Sequence, residues 1–280
     1  MERRQITFDE VSAEARELAS EPYEQPTAYL PDRFRDMGYD EFRKIRFRPD
    51  RAIWLPEQLP FQLQLFHRGY LFEQPVSISE YTETHLQEIP YVADFFNFSD
   101  LSVERLPRRN SGYAGWRLHS TLNTQLYYDE VIAFLGASYF RAVGKGQKYG
   151  LSARGILIPN DTQAPEEFPA FTQFWIRKPG SDSRTLTAMA LLNGPSLTGA
   201  YSFRITPGDP TLVDVKAILY PRRDLGRIGL GSLTSMFYFG ENTHPKPDDF
   251  RPEVHDSDGL SLEYNTGEVH WRPLNIGPIE

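Results

Sequence analysis

The chain has 280 residues, with 30 Lys+Arg against 38 Asp+Glu, a net charge of -8 and no cysteine. That acidic balance disfavours nucleic acid as the main partner, because phosphate contacts need a basic surface. The missing cysteines exclude disulfides and thiol chemistry, while a hydrophobic share of 40% leaves ample material for a core.

Residues 7–20 read as a helix, with Phe8, Val11, Ala15 and Leu18 at helical spacing and Glu21-Pro22 as the stop. A second helix is expected over Pro31 to Phe42, opened by a proline that suits a first turn. From about Ile45 the pattern changes to short apolar runs of period two. Early examples are Phe61-Gln62-Leu63-Gln64-Leu65-Phe66, Val76-Ser77-Ile78 and Trp116-Arg117-Leu118. The stretch Asp129–Phe140 fits a helix or a strand, and periodicity alone does not choose. Later runs are 185–192, 201–205 and 212–219, punctuated by Asn193-Gly194-Pro195, Thr206-Pro207-Gly208-Asp209-Pro210 and Asn265-Thr266-Gly267. Many short strands with regular turns predict an all-β fold, a sandwich or barrel, behind a short helical N-terminal segment. The 19 Phe and 15 Tyr are read mainly as β-core. No repeat or low-complexity linker divides the chain, so one domain is expected. No apolar run approaches the roughly 20 residues that span a membrane, and no secretion leader follows Met1.

Four groups of residues carry chemistry. The first is His255-Asp256-Ser257-Asp258-Gly259. An Asp-rich turn bonded to its own backbone is the favoured reading. A calcium loop lacks the alternating oxygen ligands and terminal Glu. The catalytic reading makes one carboxylate activate water, with His255 or Arg251 holding its charge. The second group is Tyr139, Arg141, Tyr149 and Arg154, whose rings and guanidiniums offer stacking faces and directional donors for hydroxyl groups; Arg–carboxylate pairing within the fold is the competing reading. Gly144-Lys145-Gly146 lacks the spacing of a phosphate loop. The third is His67 with Arg68, at the end of an alternating run. The six histidines show no paired spacing, so no metal is expected, and no Gly-x-Ser-x-Gly pattern is present. The fourth is Trp54, Trp116, Trp175 and Trp271, read as core with one or two left for a sugar groove.

Longer segments carry a resemblance. They are Ile45-Arg46-Phe47-Arg48-Pro49-Asp50, Phe61 through Gly69, Phe134 through Arg141, Tyr149 through Gly155, Glu166-Glu167-Phe168-Pro169, Pro195 through Tyr201, Leu233 through Phe237, Arg251 through Leu260, and Trp271-Arg272-Pro273-Leu274. In order and over nearly the whole chain, they resemble the periplasmic glucan-biosynthesis proteins G and D. The resemblance implies a large galactose-mutarotase-like β-sandwich, followed by an immunoglobulin-like domain. It implies a periplasmic location, β-1,2-linked glucan as partner, no cofactor, and in some members an inverting β-1,2-glucanase activity. Asp256 would be the general base, and the acid a second Asp in a downstream motif resembling Glu-Asn-Asp-Asn.

On that comparison residues 1–280 are an incomplete sandwich domain that stops before the acid and lacks the immunoglobulin-like domain. His255 and Asp258 would orient Asp256, while Tyr139, Arg141, Tyr149, Arg154 and His67 would contact sugar. Open strand edges predict self-association, with a homodimer as the simplest form. Asn193-Gly194 and Val269 depart from the family pattern.

Overall fold

A computed structural model describes residues 6–99, 101, 112–159, 166–244 and 248–275. It is built mainly of strands, with three α-helices among the described residues. The chain divides into two compact units, Met1–Ser232 and Leu233–Glu280.

In the first unit one sheet has the order Leu212–Pro221, Leu197–Thr206, Leu186–Asn193, Ala170–Arg177, Ser77–Tyr81, Leu86–Glu88. The contact between Ala170–Arg177 and Ser77–Tyr81 is parallel, and the other pairings are antiparallel. The second sheet has Leu151–Arg154, Tyr139–Ala142, Asp129–Leu135, Gly115–Ser120 and Phe61–Phe66 side by side, all antiparallel. Aromatic rings join the two. Trp116 and Phe134 from the second sheet stack at 4.6 Å, and Phe134 meets Phe174 at 5.3 Å and Phe203 at 4.9 Å from the first. This is the expected β-sandwich.

The first sheet is covered on its other face by the helix Phe8–Ala19. Thr7 and Glu10 close a capping box, with Thr7 accepting from the Glu10 N–H at 3.2 Å and Glu10 from the Thr7 N–H at 2.8 Å. Val11 and Ala15 are fully buried against Trp175, Met189, Leu191 and Ala200. Polar ties fix the docking: Ser12 to the Tyr220 hydroxyl at 2.7 Å, and Thr198 donating to the Ala15 carbonyl at 2.5 Å. Burial on both faces explains why Leu186–Asn193 shows no clean alternation.

The expected helix over 31–42 is instead two single turns, Asp32–Arg35 and Tyr39–Phe42. The Phe34 carbonyl, which a continuous helix would offer to Gly38, accepts the Tyr70 N–H at 2.7 Å. The undecided stretch 129–140 is strand Asp129–Leu135 followed by a reversal. Gly136 (φ 78°) and Ala137 (φ 43°) turn the chain into strand Tyr139–Ala142.

Arg68 ties the N-terminal segment to the sandwich. It is 2% exposed, and its guanidinium donates to the backbone carbonyls of Ala28 and Tyr29 (both 3.1 Å) and Glu73 (2.8 Å from Nε). Beside it, His67 lies between Phe34, stacked at 4.7 Å, and the edges of Phe96 and Phe98. Its Nδ1 sits 2.6 Å from the Arg68 carbonyl and so carries the proton; its Nε2 accepts from the Tyr91 hydroxyl at 2.9 Å. The neutral ring is therefore fully satisfied.

Two predictions follow from this packing. Arg68→Met removes the donors to the Ala28, Tyr29 and Glu73 carbonyls together with the packing of a buried side chain, and should cost on the order of 2 kcal/mol in urea denaturation, against near-neutrality if the ties were incidental. Burial pushes the imidazoles of His67 and His119 down to about 4 from 6.5, with the Arg68 and Arg117 charges adding to the effect. Between those values the folded chain binds fewer protons than the unfolded one. Stability is thus fully present above about pH 6.5 and is lost as pH falls toward 4. The melting temperature should drop across that window, and less steeply in His119→Gln; parallel profiles would contradict the assignment.

Candidate functional site

On the second sheet of the first unit, alternation puts Tyr139 and Arg141 on the face opposite Phe134 and Phe140, which pack into the core. Tyr139 pairs across strands with Arg154, and Arg141 with Ser152. The Arg154 guanidinium lies 5.2 Å from the Tyr139 ring and 5.6 Å from Phe168, and donates to Glu166. The Arg141 guanidinium lies 4.9 Å from the Tyr149 ring and donates to its hydroxyl at 3.3 Å. Glu130 joins this to the next strand: it sits 3.7 Å from Arg141 and 3.1 Å from Arg117, which also donates to Gln64 at 2.8 Å. The structure therefore brings Tyr139, Arg141, Tyr149 and Arg154 onto one polar sheet face. Both arginines also pair with carboxylates within the fold, which the sequence left as an equal reading.

A cavity of about 240 Å³ opens beside Arg141, Tyr149, Glu130 and Asp129. A wider groove of about 970 Å³ runs between Arg46, Arg48, Phe98 and Arg117. In it Arg48 grips Asp50 through Nε at 3.3 Å and Nη2 at 2.8 Å, and this hydrogen bonding holds the Asp50 carboxyl below its ordinary range. His67 belongs to neither. At 3% exposure, with both ring nitrogens engaged, it is a core residue, and the expected sugar contact is corrected to a structural one.

The second unit carries the acidic turn. Strand Val254–His255 pairs with Phe237–Phe239, and Gly259–Glu263 with Val269–Pro273. The second pair closes through a turn at Gly267 (φ 82°), where the sequence placed Asn265-Thr266-Gly267. His255 is stacked on Phe237 at 5.4 Å; its Nε2 lies 3.2 Å from Glu253 and 3.8 Å from Asp258. Asp256 has different neighbours. Its N–H donates to the Met236 carbonyl at 2.9 Å, and its exposed carboxylate accepts from the Met236 N–H at 3.4 Å. Arg251 is held by Asp249 through Nε at 2.9 Å and Nη2 at 2.5 Å, which brings the Asp249 carboxyl down to about 2. The expected helpers of Asp256 thus have other partners: His255 and Asp258 sit together with Glu253, and Arg251 with Asp249.

Glu253 escaped the sequence reading as a partner of His255, although it lies nearer than Asp258. Of the four tryptophans, which the sequence read as core with one or two left for a groove, Trp271 is 59% exposed, whereas Trp54, Trp116 and Trp175 are buried. The available signal was the charge around it, Glu268, His270 and Arg272, which a core strand would not carry.

The family model described as Periplasmic glucan biosynthesis protein, MdoG, matches residues 6–278. Among curated relatives, a glucans biosynthesis protein G of Ralstonia nicotianae is 50% identical over 267 residues, covering 95% of this chain and 53% of that protein. The protein of the same name from Rhodopseudomonas palustris (strain CGA009) is 50% identical over 260 residues, covering 93% and 52%. That from Vibrio cholerae (strain O395) is 46% identical over 266 residues, covering 95% and 49%. The chain spans about half the length of the curated relatives it matches.

Proposed function

The chain belongs to the periplasmic glucan biosynthesis protein family, and from that premise we propose that it handles a β-1,2-linked glucan in the periplasm and that the complete protein cleaves this glucan with inversion, Asp256 acting as the base. The observation that carries the reading is the setting of Asp256: a solvent-open carboxylate on backbone pinned to Met236. A base that activates water must be reachable by water and fixed in direction. Inversion needs a second, protonated carboxyl about 6.5–9.5 Å away, across the scissile bond, with a water between base and sugar. We assign that acid to the part of the relatives that this chain does not span. The polar face of Tyr139, Arg141, Tyr149 and Arg154 supplies rings and fixed donors of the kind sugar hydroxyls need.

A second reading is glucan binding or assembly without cleavage. It is favoured by the partners of His255 and Arg251, which engage Glu253, Asp258 and Asp249 rather than Asp256. The test carries Asp256→Asn into the full-length Ralstonia relative and counts new reducing ends from linear β-1,2-glucan. Loss of a general base should lower the rate by about 10²–10⁴-fold. Cleavage at the wild-type rate would sink the base assignment. Binding without new ends in the wild type would favour the second reading.

A further inference from the structure

The second unit holds a cavity of about 310 Å³ whose walls include Trp271, His255, Glu253, Asp258, Glu241 and Asn242. That is the lower end of the size range of ligand clefts, about 300–1,000 Å³. Its lining combines a solvent-exposed indole with carboxylates, an imidazole and an amide.

The position of the indole is built into the hairpin. Trp271 stands opposite Ser261, and Gly259 opposite Pro273, so Gly259 and Trp271 are diagonal neighbours on one face. The indole lies across Gly259: a Cβ there would come within 2.6 Å of Cζ2 and 2.9 Å of Cη2. The same Cβ would meet the Arg272 carbonyl at 2.6 Å. Gly259 therefore has a packing reason beyond chain reversal, because a bare backbone is what lets the ring lie there. The polar wall is fixed too. His255 is 10% exposed at its side chain, stacked on Phe237, with Glu253 at 3.2 Å and Asp258 at 3.8 Å from its Nε2. Gly240 lets that stack form, since a Cβ there would sit 3.3 Å from the Phe237 ring and 3.4 Å from His255 Cδ2.

We propose that Trp271, seated over Gly259, is the stacking platform of a saccharide subsite that takes one glucose ring of a glucan chain, with Glu253, Asp258 and His255 receiving its hydroxyls. The inference rests on the glucan reading above and names a contact that reading does not include. A β-glucopyranose ring has its substituents equatorial. It offers two flat C–H faces and a rim of hydroxyls. A flat indole beside acceptor groups matches that distribution. Asp256 takes no part in this contact, so the subsite positions the chain without performing chemistry.

Trp271 is the one exposed tryptophan of the four, so acrylamide quenching of fluorescence reads it selectively. The 280-residue chain is titrated with linear β-1,2-glucan while quenching and calorimetric affinity are followed. Bound glucan should protect the quenchable emission. Trp271→Ala should weaken binding by about tenfold, with Trp271→Phe in between. Because the indole is largely exposed, the melting temperature of both variants should stay at the wild-type value, which checks folding. Wild-type affinity in Trp271→Ala, or binding without protection, overturns the subsite and leaves the glucan reading standing. Failure of the wild-type chain to bind the glucan at all overturns both.

Discussion

The constraint on which the first unit depends is that its larger sheet must be covered on both faces at once. In Leu186–Asn193 the residues Leu186, Ala188, Ala190 and Leu192 face the aromatic core, while Met189 and Leu191 face the helix Phe8–Ala19. Fully burying one such large apolar side chain contributes about 1.5–3 kcal/mol, so neither cover is dispensable. Small residues make the double cover geometrically workable. Ala15 and Ala200 let the helix approach the sheet, and Gly199 leaves room for Leu219, which its Cβ would otherwise meet at 2.7 Å.

With one sheet enclosed, the polar chemistry moves to the other. The second sheet spends its inner face on Trp116, Phe134 and Phe140, and its outer face is left for Gln64, Arg117, Glu130, Arg141 and Arg154. These side chains stand on paired strands rather than on loops, and each guanidinium is held by a carboxylate as well as a ring or an amide. Such an array is held in place by the fold itself, and on the proposed reading this lowers the ordering cost of binding.

What was readable from residues alone follows the range of the forces involved. The helix at 7–20 and the Asn265-Thr266-Gly267 reversal are set by local capping and by a glycine at positive φ, and both were legible. The alternating strand at 61–66 was legible for the same reason, since its period is local. The break between Asp32–Arg35 and Tyr39–Phe42 was not, because the competing donor, Tyr70, is far along the chain. His67 looked like a site residue because an imidazole beside an arginine reads the same in a core as in a cleft; only the aromatic cage decides. Trp116 and Trp271 both lie on alternating strands, and what separates them is the second face: Trp116 meets Phe134 and Phe174, whereas Trp271 meets solvent.

The acidic turn changes meaning on the same grounds. As a string, His255-Asp256-Ser257-Asp258-Gly259 reads as one cluster serving one carboxylate. The strand Val254–His255 ends where the chain bends at Asp256, so adjacency in sequence does not place these side chains in one site. His255 turns to Phe237, Glu253 and Asp258; Asp256 turns to Met236; and Gly259 yields its side-chain space to Trp271. The motif is therefore three assignments held on one short segment. On the proposed reading, a change at His255 or Gly259 acts on how the chain receives a ligand, and a change at Asp256 on what happens to it. If binding and turnover were found to fall together at all three positions, the segment would have to work as a single cluster, against the separation of its side chains.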